Sequence, residues 1–302
     1  MKKVDKYSAK PFVKWVGGKT QLLDDIKNTL PQDLSQRGEV VYVEPFVGGG
    51  AVMFWILQEY PNITKAVIND INEELICTYR VIKSDVEKLI LELTRIQTEY
   101  LALDDVARKD YYLSQRERYN EKNNSELETA ALFIFLNRTC FNGLYRVNSK
   151  GKFNVPHGRY ANPKICDAET LRADSAILQR VEILCGDFAQ TGKYADDNAL
   201  YYFDPPYRPL TETSAFTSYA KDGFDECRKI CYQRKMTPES SPVEKLLGHV
   251  ESRNFIAKQL KANNYDGVVF LQTHAAVACK GILKKKYQGK YIVDVRDFTL
   301  EN

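Results

Sequence analysis

Residues 40–50 read Val-Val-Tyr-Val-Glu-Pro-Phe-Val-Gly-Gly-Gly, and this stretch decides the fold. Residues 40–44 are β-branched or aromatic and end in an acid, a pattern that predicts a buried strand. The glycines that follow predict a tight turn, and the apolar run at 51–57 predicts a helix after it. A strand, a glycine turn and a helix in this order are typical of the first unit of a nucleoside-binding α/β domain.

A second strand is predicted at 66–69, and it ends at Asp70. That spacing matches a βαβ unit in which a carboxylate accepts both ribose hydroxyls of a nucleoside. The other interpretation of Asp70 is an N-cap of the helix that follows. Further strands are predicted at 181–185, 200–203, 268–272 and 291–296, and helices at 253–262 and 275–286. The sequence therefore predicts an α/β protein with a mainly parallel sheet.

Residues 72–165 interrupt this alternation of strands and helices. Helical periodicity runs through about 72–121, a polar, mobile loop is predicted at 119–125, and an apolar helix at 129–136. We therefore expect an inserted domain at 72–165, with 1–71 and 166–302 forming the sheet domain.

The segment 129–166 holds six basic residues and no acid, although the whole chain has 43 basic and 40 acidic residues. Aromatic side chains are interleaved with the basic ones. This mixture is typical of surfaces that neutralise phosphates and contact bases, but a solvated basic loop over a local core fits the charge equally well. Charge alone leaves both interpretations open.

The composition excludes several classes of protein. The 302 residues are 44% hydrophobic and 27% charged, as in globular rather than disordered chains. The longest run without a charged residue has 14 residues, at 45–58, too few for a membrane span. The N-terminus lacks the apolar core of a secretory signal, and seven scattered cysteines suit reduced thiols. We therefore expect a cytoplasmic protein with no membrane partner and no metal.

Residues 15–20 read Trp-Val-Gly-Gly-Lys-Thr, which is similar to the end of a phosphate-binding loop. The first glycine of that motif is missing because position 13 is valine, so the spacing excludes ATP hydrolysis. Lys19 is instead a candidate partner for a carboxylate, and Trp15 could cover an apolar ligand face.

Residues 200–207 read Leu-Tyr-Tyr-Phe-Asp-Pro-Pro-Tyr, so a strand delivers an acid, two prolines and an aromatic at its carboxyl end. Open α/β sheets bind their ligands at that end. The prolines stiffen the turn and remove two N–H donors, which leaves Asp204 and the Pro205 carbonyl to accept hydrogens from an amino group on a planar ring. Tyr207 can stack on that ring. These residues predict a site for an exocyclic amine.

In this order, the motifs resemble those of the Dam-type DNA adenine-N6 methyltransferases. The matching strings lie at 15–19, 46–50, 69–72, 186–188 and 204–207. Two more, at 137–146 and 153–160, resemble the target-recognition loop of members that methylate the adenine of GATC. The resemblance runs from about residue 10 to residue 224, and beyond it the pattern is not recognised, which leaves the last edge of the sheet undefined.

The resemblance implies a Rossmann-like methyltransferase that uses S-adenosylmethionine to modify a flipped adenine in double-stranded DNA, with GATC as the expected site. The residues implied at the cofactor are Trp15, Gly17, Lys19, Phe46, Gly48, Asp70, Asp187 and Phe188. Those implied at the target base are Asp204, Pro205, Pro206 and Tyr207. Those implied at the DNA are Arg138, Phe141, Asn142, Leu144, Arg146, Pro156 and Arg159. Among these, Phe141 would wedge into the base stack and Arg146 would hydrogen-bond guanine.

Two other functions remain open at this point. A methyltransferase acting on a protein glutamine, a free base or another small amine could use the same strand-end chemistry, but it would not need the basic insert. A non-catalytic DNA-binding remnant would keep the insert and lose the cofactor. We expect a monomer, and the sequence leaves open whether a cognate restriction nuclease accompanies it.

Overall fold

The computed structural model describes residues 8–195 and 198–205, together with the backbone of two short strands at 268–270 and 291–293. The strands of this part of the chain are β1 (Val40–Glu44), β2 (Ile63–Asp70), β3 (Val181–Cys185), β4 (Ala199–Tyr201), β5 (Val268–Phe270) and β6 (Tyr291–Val293). The α-helices are α1 (Leu23–Thr29), α2 (Ala51–Glu59), α3 (Glu73–Ala102), α4 (Asp105–Asn120), α5 (Glu126–Thr139) and α6 (Ala168–Leu178).

Strands β1 to β4 form a four-stranded sheet in the order β3-β2-β1-β4, and every neighbouring pair is parallel. This order is one half of a doubly wound sheet, so the predicted Rossmann-like α/β class is confirmed. β1 and β3 have the predicted bounds, and β2 begins three residues earlier than predicted, at Ile63 rather than 66. β4 is shorter than predicted and ends at Tyr201.

The core of the sheet is apolar on both faces. Tyr42 and Val43 of β1 and Ala66, Val67 and Ile68 of β2 are fully buried. Helix α2 is buried from residue 51 to residue 57, which explains its apolar sequence on every side. Strands with nearly continuous apolar sequence are typical of parallel sheets that helices cover.

The chain divides into two compact units. The first contains Met1–Gln21 and Ser35–Phe224, and it includes the four-stranded sheet and helices α2 to α6. The second contains Leu22–Leu34 and Asp225–Asn302, and in it β5 and β6 pair in parallel. The helices predicted at 253–262 and 275–286 lie outside the described residues. The boundaries of an inserted domain at 72–165 remain a prediction.

The helices of the insert differ from the prediction at their ends, and residues 103–104 separate α3 from α4 within the helical run predicted at about 72–121. The predicted loop at 119–125 was wrong in its first two residues, because α4 continues to Asn120 and both Tyr119 and Asn120 are buried. Ser125 then starts α5 with a capping box to Glu128, so the predicted helix at 129–136 extends to 126–139. Buried contacts, rather than local polarity, decide where α4 ends.

Helix α6 was missed by the sequence prediction, although Asp167 supplies its N-cap. α6 helps to place the N-terminal segment, which we define as residues 9–15 and which has no regular secondary structure. Oδ1 of Asp174, a buried residue of α6, accepts the Lys10 N–H at 2.9 Å. Gln58 of α2 hydrogen-bonds both the N–H and the carbonyl of Ala9. Side chains therefore fix this segment where main-chain pairing does not.

The pKa of Asp174 makes this anchor sensitive to pH. Burial raises the pKa of Asp174 to about 8, and its Oδ2 meets no hydrogen-bond donor among the described residues. The unfolded chain releases this proton at a pH of about 4. The folded protein therefore holds this proton more tightly than the unfolded chain does. Protonated Asp174 makes its full contribution to the free energy of unfolding below a pH of about 4, and this contribution is lost as the pH rises towards 8.

We expect Asp174→Asn, which keeps an acceptor for Lys10, to gain stability relative to the wild type by several kcal/mol between pH 5 and pH 8. Urea unfolding at both pH values measures this difference. Asp167→Asn is the control. Burial acts to raise the pKa of Asp167, but hydrogen bonds from Lys164 and Thr170 outweigh it and lower the pKa, so Asp167 stays ionised from pH 5 to pH 8. The effect of Asp167→Asn on the free energy of unfolding should therefore be the same at both pH values. A pH-independent effect of Asp174→Asn would contradict the prediction.

Candidate active site

The carboxyl ends of β1, β2 and β4 lie at one edge of the sheet because the strands are parallel. In β1, Val43 pairs with Val67 of β2 and with Tyr201 of β4. The chain continues in register past β4, since the Tyr202 N–H donates to the Val43 carbonyl at 2.9 Å. Three acidic residues lie at or just beyond the ends of these strands: Glu44, Asp70 and Asp204.

Asp204 forms an ion pair with Lys19. The Nζ atom of Lys19 lies 2.5 Å from Oδ2 of Asp204, and the two side chains are only 10% and 18% exposed. The same Nζ donates to the Gly17 carbonyl at 2.8 Å. The pair joins one residue expected at the cofactor to one expected at the target base. An ion-paired carboxylate acts only as a hydrogen-bond acceptor.

Glu44 is a second acid at this edge, and it was not among the site residues predicted from the sequence. It is 3% exposed, and the Tyr42 hydroxyl donates to its Oε2 at 2.8 Å. Burial raises the pKa of Glu44 well above its usual range, and the negative charge of Asp204 raises it further. The hydrogen bond from Tyr42 and the positive charge of Lys19 act in the opposite direction. Burial therefore favours the neutral form of Glu44, whereas Asp204 has a cationic partner. The sequence feature that could have identified Glu44 is its position as an acid at the end of a predicted buried strand.

Asp70 is held by main-chain amides of the glycine turn and of the next helix. Its Oδ2 accepts the Gly48 N–H at 3.0 Å, and its Oδ1 accepts the Asn72 N–H at 3.0 Å. Burial raises the pKa of Asp70, while these amides oppose the shift. The N-cap interpretation of Asp70 is wrong, because α3 begins at Glu73 and its N-cap is Asn72. Each carboxylate oxygen can accept two hydrogen bonds, so capacity for hydroxyl groups remains.

The glycine turn packs directly against Trp15. Gly48 has a φ of +48°, and a Cβ atom there would lie 2.7 Å from Cδ1 of the indole, far inside van der Waals contact. The Tyr79 hydroxyl donates to the Gly48 carbonyl at 3.0 Å. Any side chain at position 48 would therefore displace Trp15, which explains the glycine physically.

Asn69 joins the loops that follow β1 and β3. Its Nδ2 donates to the carbonyls of Pro45 at 3.1 Å and Gly186 at 2.9 Å. The two loops carry Phe46 and Phe188, half-buried rings whose centroids are 5.3 Å apart. A buried amide with both donors used in this way holds the two loops at a fixed separation.

The remaining residue expected at the cofactor on this side is Asp187. It is exposed, and its Oδ1 accepts the Ala189 N–H at 2.8 Å. A half-buried aromatic pair, a carboxylate with acceptor capacity and a side-chain-free turn are what a nucleoside with a charged tail requires. The residues at this edge therefore fit S-adenosylmethionine, the cofactor that the family resemblance implies.

Residues 140–158, which we name the recognition hairpin, fold back on themselves. Antiparallel bridges join Cys140 to His157 and Val147 to Phe153. Underneath, Tyr145 and Phe153 are buried, and the Tyr112 hydroxyl donates to the carbonyl of buried Val155 at 2.8 Å. The basic segment therefore has a core of its own.

Most of the residues expected at the DNA lie on the outer side of this hairpin or next to it. Phe141 is 50% exposed although it is a large apolar residue. The others that are exposed or half-buried are Asn142, Leu144, Arg146, Pro156 and Arg159. Nε of Arg146 donates to Oδ1 of Asn154 at 2.8 Å, which holds the guanidinium beside the opposite strand of the hairpin.

Arg138 lies apart from this outer side. A guanidinium nitrogen of Arg138 donates to the Phe12 carbonyl at 2.7 Å. Burial lowers the pKa of Arg138, and its Nε has no hydrogen-bond partner among the described residues. This side chain therefore supports the N-terminal segment.

Of the four residues expected at the target base, the structure places Asp204 and Pro205, whereas Pro206 and Tyr207 lie outside the described residues. Among the residues the structure describes, no group of three or more His, Cys, Asp or Glu side chains could hold a metal ion. None of the described helices combines the length and apolarity needed to cross a membrane.

Three relatives have similar sequences over most of their length. The type II methyltransferase M.MjaIII of Methanocaldococcus jannaschii is 45% identical over 281 residues, 91% of this chain and 95% of its own. The type II methyltransferase M1.LlaDCHI of Lactococcus lactis subsp. cremoris is 45% identical over 225 residues, 73% of each chain. The DNA adenine methylase of Escherichia coli strain K12 is 37% identical over 214 residues, 70% of each chain.

The family model described as D12 class N6 adenine-specific DNA methyltransferase matches residues 15–265. This match continues past residue 224, so the sequence prediction ended the resemblance too early. The matched residues include the four-stranded sheet, its acidic edge and the recognition hairpin. The chain therefore belongs to the D12 class of N6 adenine-specific DNA methyltransferases.

Proposed function

We propose that this adenine-specific DNA methyltransferase acts on an adenine flipped out of double-stranded DNA, within the sequence GATC. One observation carries the proposal: the ion-paired Asp204 lies at the same sheet edge as the Asp70 turn. That edge can present an acceptor for the target amine next to a nucleoside pocket.

Membership of a methyltransferase family implies S-adenosylmethionine as the methyl donor, and when bound it supplies an activated sulfonium methyl group. Asp70 would accept its ribose hydroxyls, and Asp187 would face the edge of its adenine ring. The other residues that would line this pocket are Trp15, Gly17, Lys19, Phe46, Gly48 and Phe188.

Asp204 and the Pro205 carbonyl would each accept one hydrogen of the target amino group. This turns the nitrogen lone pair out of conjugation with the ring and makes the nitrogen a better nucleophile. Lys19 keeps Asp204 in its ionised, accepting form, and a carboxylate oxygen can serve both partners. Asp204 and Pro205 would hold the amino nitrogen in line with the methyl group, which the cofactor would supply while its sulfur keeps the electron pair of the broken C–S bond. The methylated, cationic nitrogen would then release its extra proton to solvent water.

The recognition hairpin would read the DNA. Exposed Phe141 would wedge into the base stack, Leu144 and Pro156 would make apolar contacts with bases, and Arg146 would hydrogen-bond guanine O6 and N7. Asn142 and Arg159 would contact the same region. We assign Arg138 instead to holding Phe12, because its guanidinium is engaged there.

Two relatives are named type II methyltransferases, which supports a restriction nuclease as the genetic partner of this chain. Another is named DNA adenine methylase, which supports adenine in DNA as the substrate. The monomeric state and the cytoplasmic location expected from the sequence remain predictions.

We expect Asp204→Asn to lower methyl transfer by ~10²-fold or more, because the variant presents an amide in place of a carboxylate to the target amine. Cofactor binding should remain largely unchanged. Transfer of a labelled methyl group to a GATC duplex measures the loss, and calorimetry with S-adenosylmethionine measures binding.

Glu182→Gln is the matched control for this variant. Glu182 also forms an ion pair, with Lys65 at 3.2 Å, but it is the second residue of β3 and lies away from the carboxyl edge. Its variant should retain transfer. Near-normal turnover of Asp204→Asn would refute the assignment, and a wild-type chain that binds DNA specifically without binding the cofactor would identify a non-catalytic remnant.

We expect Arg146→Ala to cost about 1–3 kcal/mol of discrimination at one guanine of the target site. Competition between GATC duplexes and duplexes substituted at each position measures this cost. Lys150→Ala removes the same charge from the exposed turn of the hairpin and should weaken all sequences equally. If Arg146→Ala also weakens all sequences equally, Arg146 contacts phosphate and the base assignment fails.

A further inference from the structure

Asn137 lies in the last turn of α5, is 3% exposed, and bonds to two separate segments of the chain. Its Oδ1 accepts the Lys14 N–H at 2.8 Å, and its Nδ2 donates to the Lys14 carbonyl at 2.8 Å. Nδ2 also donates to the Gly143 carbonyl at 3.0 Å. Both donors of the amide and its acceptor are therefore used, and every partner is a main-chain group.

The two segments lead to different parts of the site. Lys14 precedes Trp15, whose indole packs on Gly48 in the glycine turn. Gly143 belongs to the recognition hairpin and lies between the outer residues Phe141 and Leu144. A second contact joins the same two segments, because the Trp15 ring stacks on Tyr145 of the hairpin with centroids 5.4 Å apart.

A buried amide with all three hydrogen bonds made has little freedom to move without leaving a polar group unpaired. If the main chain at Gly143 shifts, either the Asn137 amide or the main chain at Lys14 must shift with it. A displacement at Lys14 reaches Trp15 and, through the indole, the turn at Gly48. The contacts thus form a continuous path from the hairpin to the glycine turn.

We propose that Asn137 is a positioning residue that couples DNA recognition by the hairpin to cofactor binding at the glycine turn. This inference rests on the proposed function, since it places DNA on the hairpin and S-adenosylmethionine at the turn. Coupling between two binding sites is reciprocal, so DNA of the correct sequence tightens cofactor binding by the factor with which the cofactor tightens DNA binding.

Asn120 provides a matched control within the same fold. It is also buried, 6% exposed, and its amide bonds both the N–H and the carbonyl of Phe153 in the hairpin, at 2.8 and 3.0 Å. Within the described residues, its side chain hydrogen-bonds Phe153 and not the N-terminal segment. Asn120 therefore supports the hairpin without joining it to Lys14.

The test uses the full chain and S-adenosylhomocysteine, the unreactive product. Calorimetry measures the dissociation constant of S-adenosylhomocysteine from the protein under three conditions: without DNA, with a duplex that the wild-type enzyme methylates, and with a scrambled duplex. We expect the methylatable duplex to tighten wild-type binding by about fivefold or more. Asn137→Asp, which replaces both amide donors with an acceptor, should reduce this factor to about one. Asn120→Asp should weaken duplex binding and keep the factor.

Asn137→Ser removes the hydrogen bonds without burying a charge, and it decides the test if Asn137→Asp does not fold. The chain has two tryptophans, so a Trp55→Phe background leaves Trp15 as a single fluorescent reporter. Its emission should change on adding the methylatable duplex, and this change should be lost with Asn137→Ser.

Three outcomes would overturn the inference while leaving the proposed function intact. In the first, the wild-type enzyme methylates DNA but the duplex does not tighten S-adenosylhomocysteine binding. In the second, the Asn137 variants keep the wild-type tightening factor. In the third, Asn120→Asp loses this factor to the same extent as the Asn137 variants. A wild-type chain that methylates no duplex would overturn the proposed function, and this inference with it.

Discussion

Parallel pairing of β1 with a neighbour on each side is the constraint on which the rest of the site depends. Val43 is opposite Val67 on one side and Tyr201 on the other, so all three strands point the same way. Because parallel strands end at one edge, acids that are far apart in the chain leave the sheet together. The central residues of β1 and β2 are apolar and fully buried, which fixes the register of this arrangement.

The acids at this edge have three different environments. Glu44 is buried against the Tyr42 hydroxyl, and burial raises its pKa, whereas Asp204 is ion-paired with Lys19. Asp70 is bound by main-chain amides on both of its oxygens. A buried carboxyl with a raised pKa beside an ion-paired carboxylate is typical of sites that do chemistry. Here one carboxylate is held by a cation and another by main-chain amides, so the edge presents two acceptors in different surroundings.

The N-terminal segment connects this edge to the recognition hairpin although it forms neither strand nor helix. Side chains of α2, α5 and α6 bind its main chain at Ala9, Lys10, Phe12 and Lys14. A segment that side chains hold in place depends on packing between elements, so its placement is sensitive to changes at a distance. Trp15, at the end of the segment, contacts both the glycine turn and the hairpin.

The sequence by itself determined the strands at 40–44 and 181–185, the glycine turn and the α/β class, because apolar periodicity and turn residues act over a few neighbouring positions. Its ordered motifs also identified the family. The tertiary structure alone decided that Lys19 pairs with Asp204, that Arg138 faces Phe12, and that Asn137 binds Lys14 across 123 positions of the chain. Such partners are brought together by the packing of whole elements, and no local pattern in the chain records which distant main-chain group a buried side chain will meet.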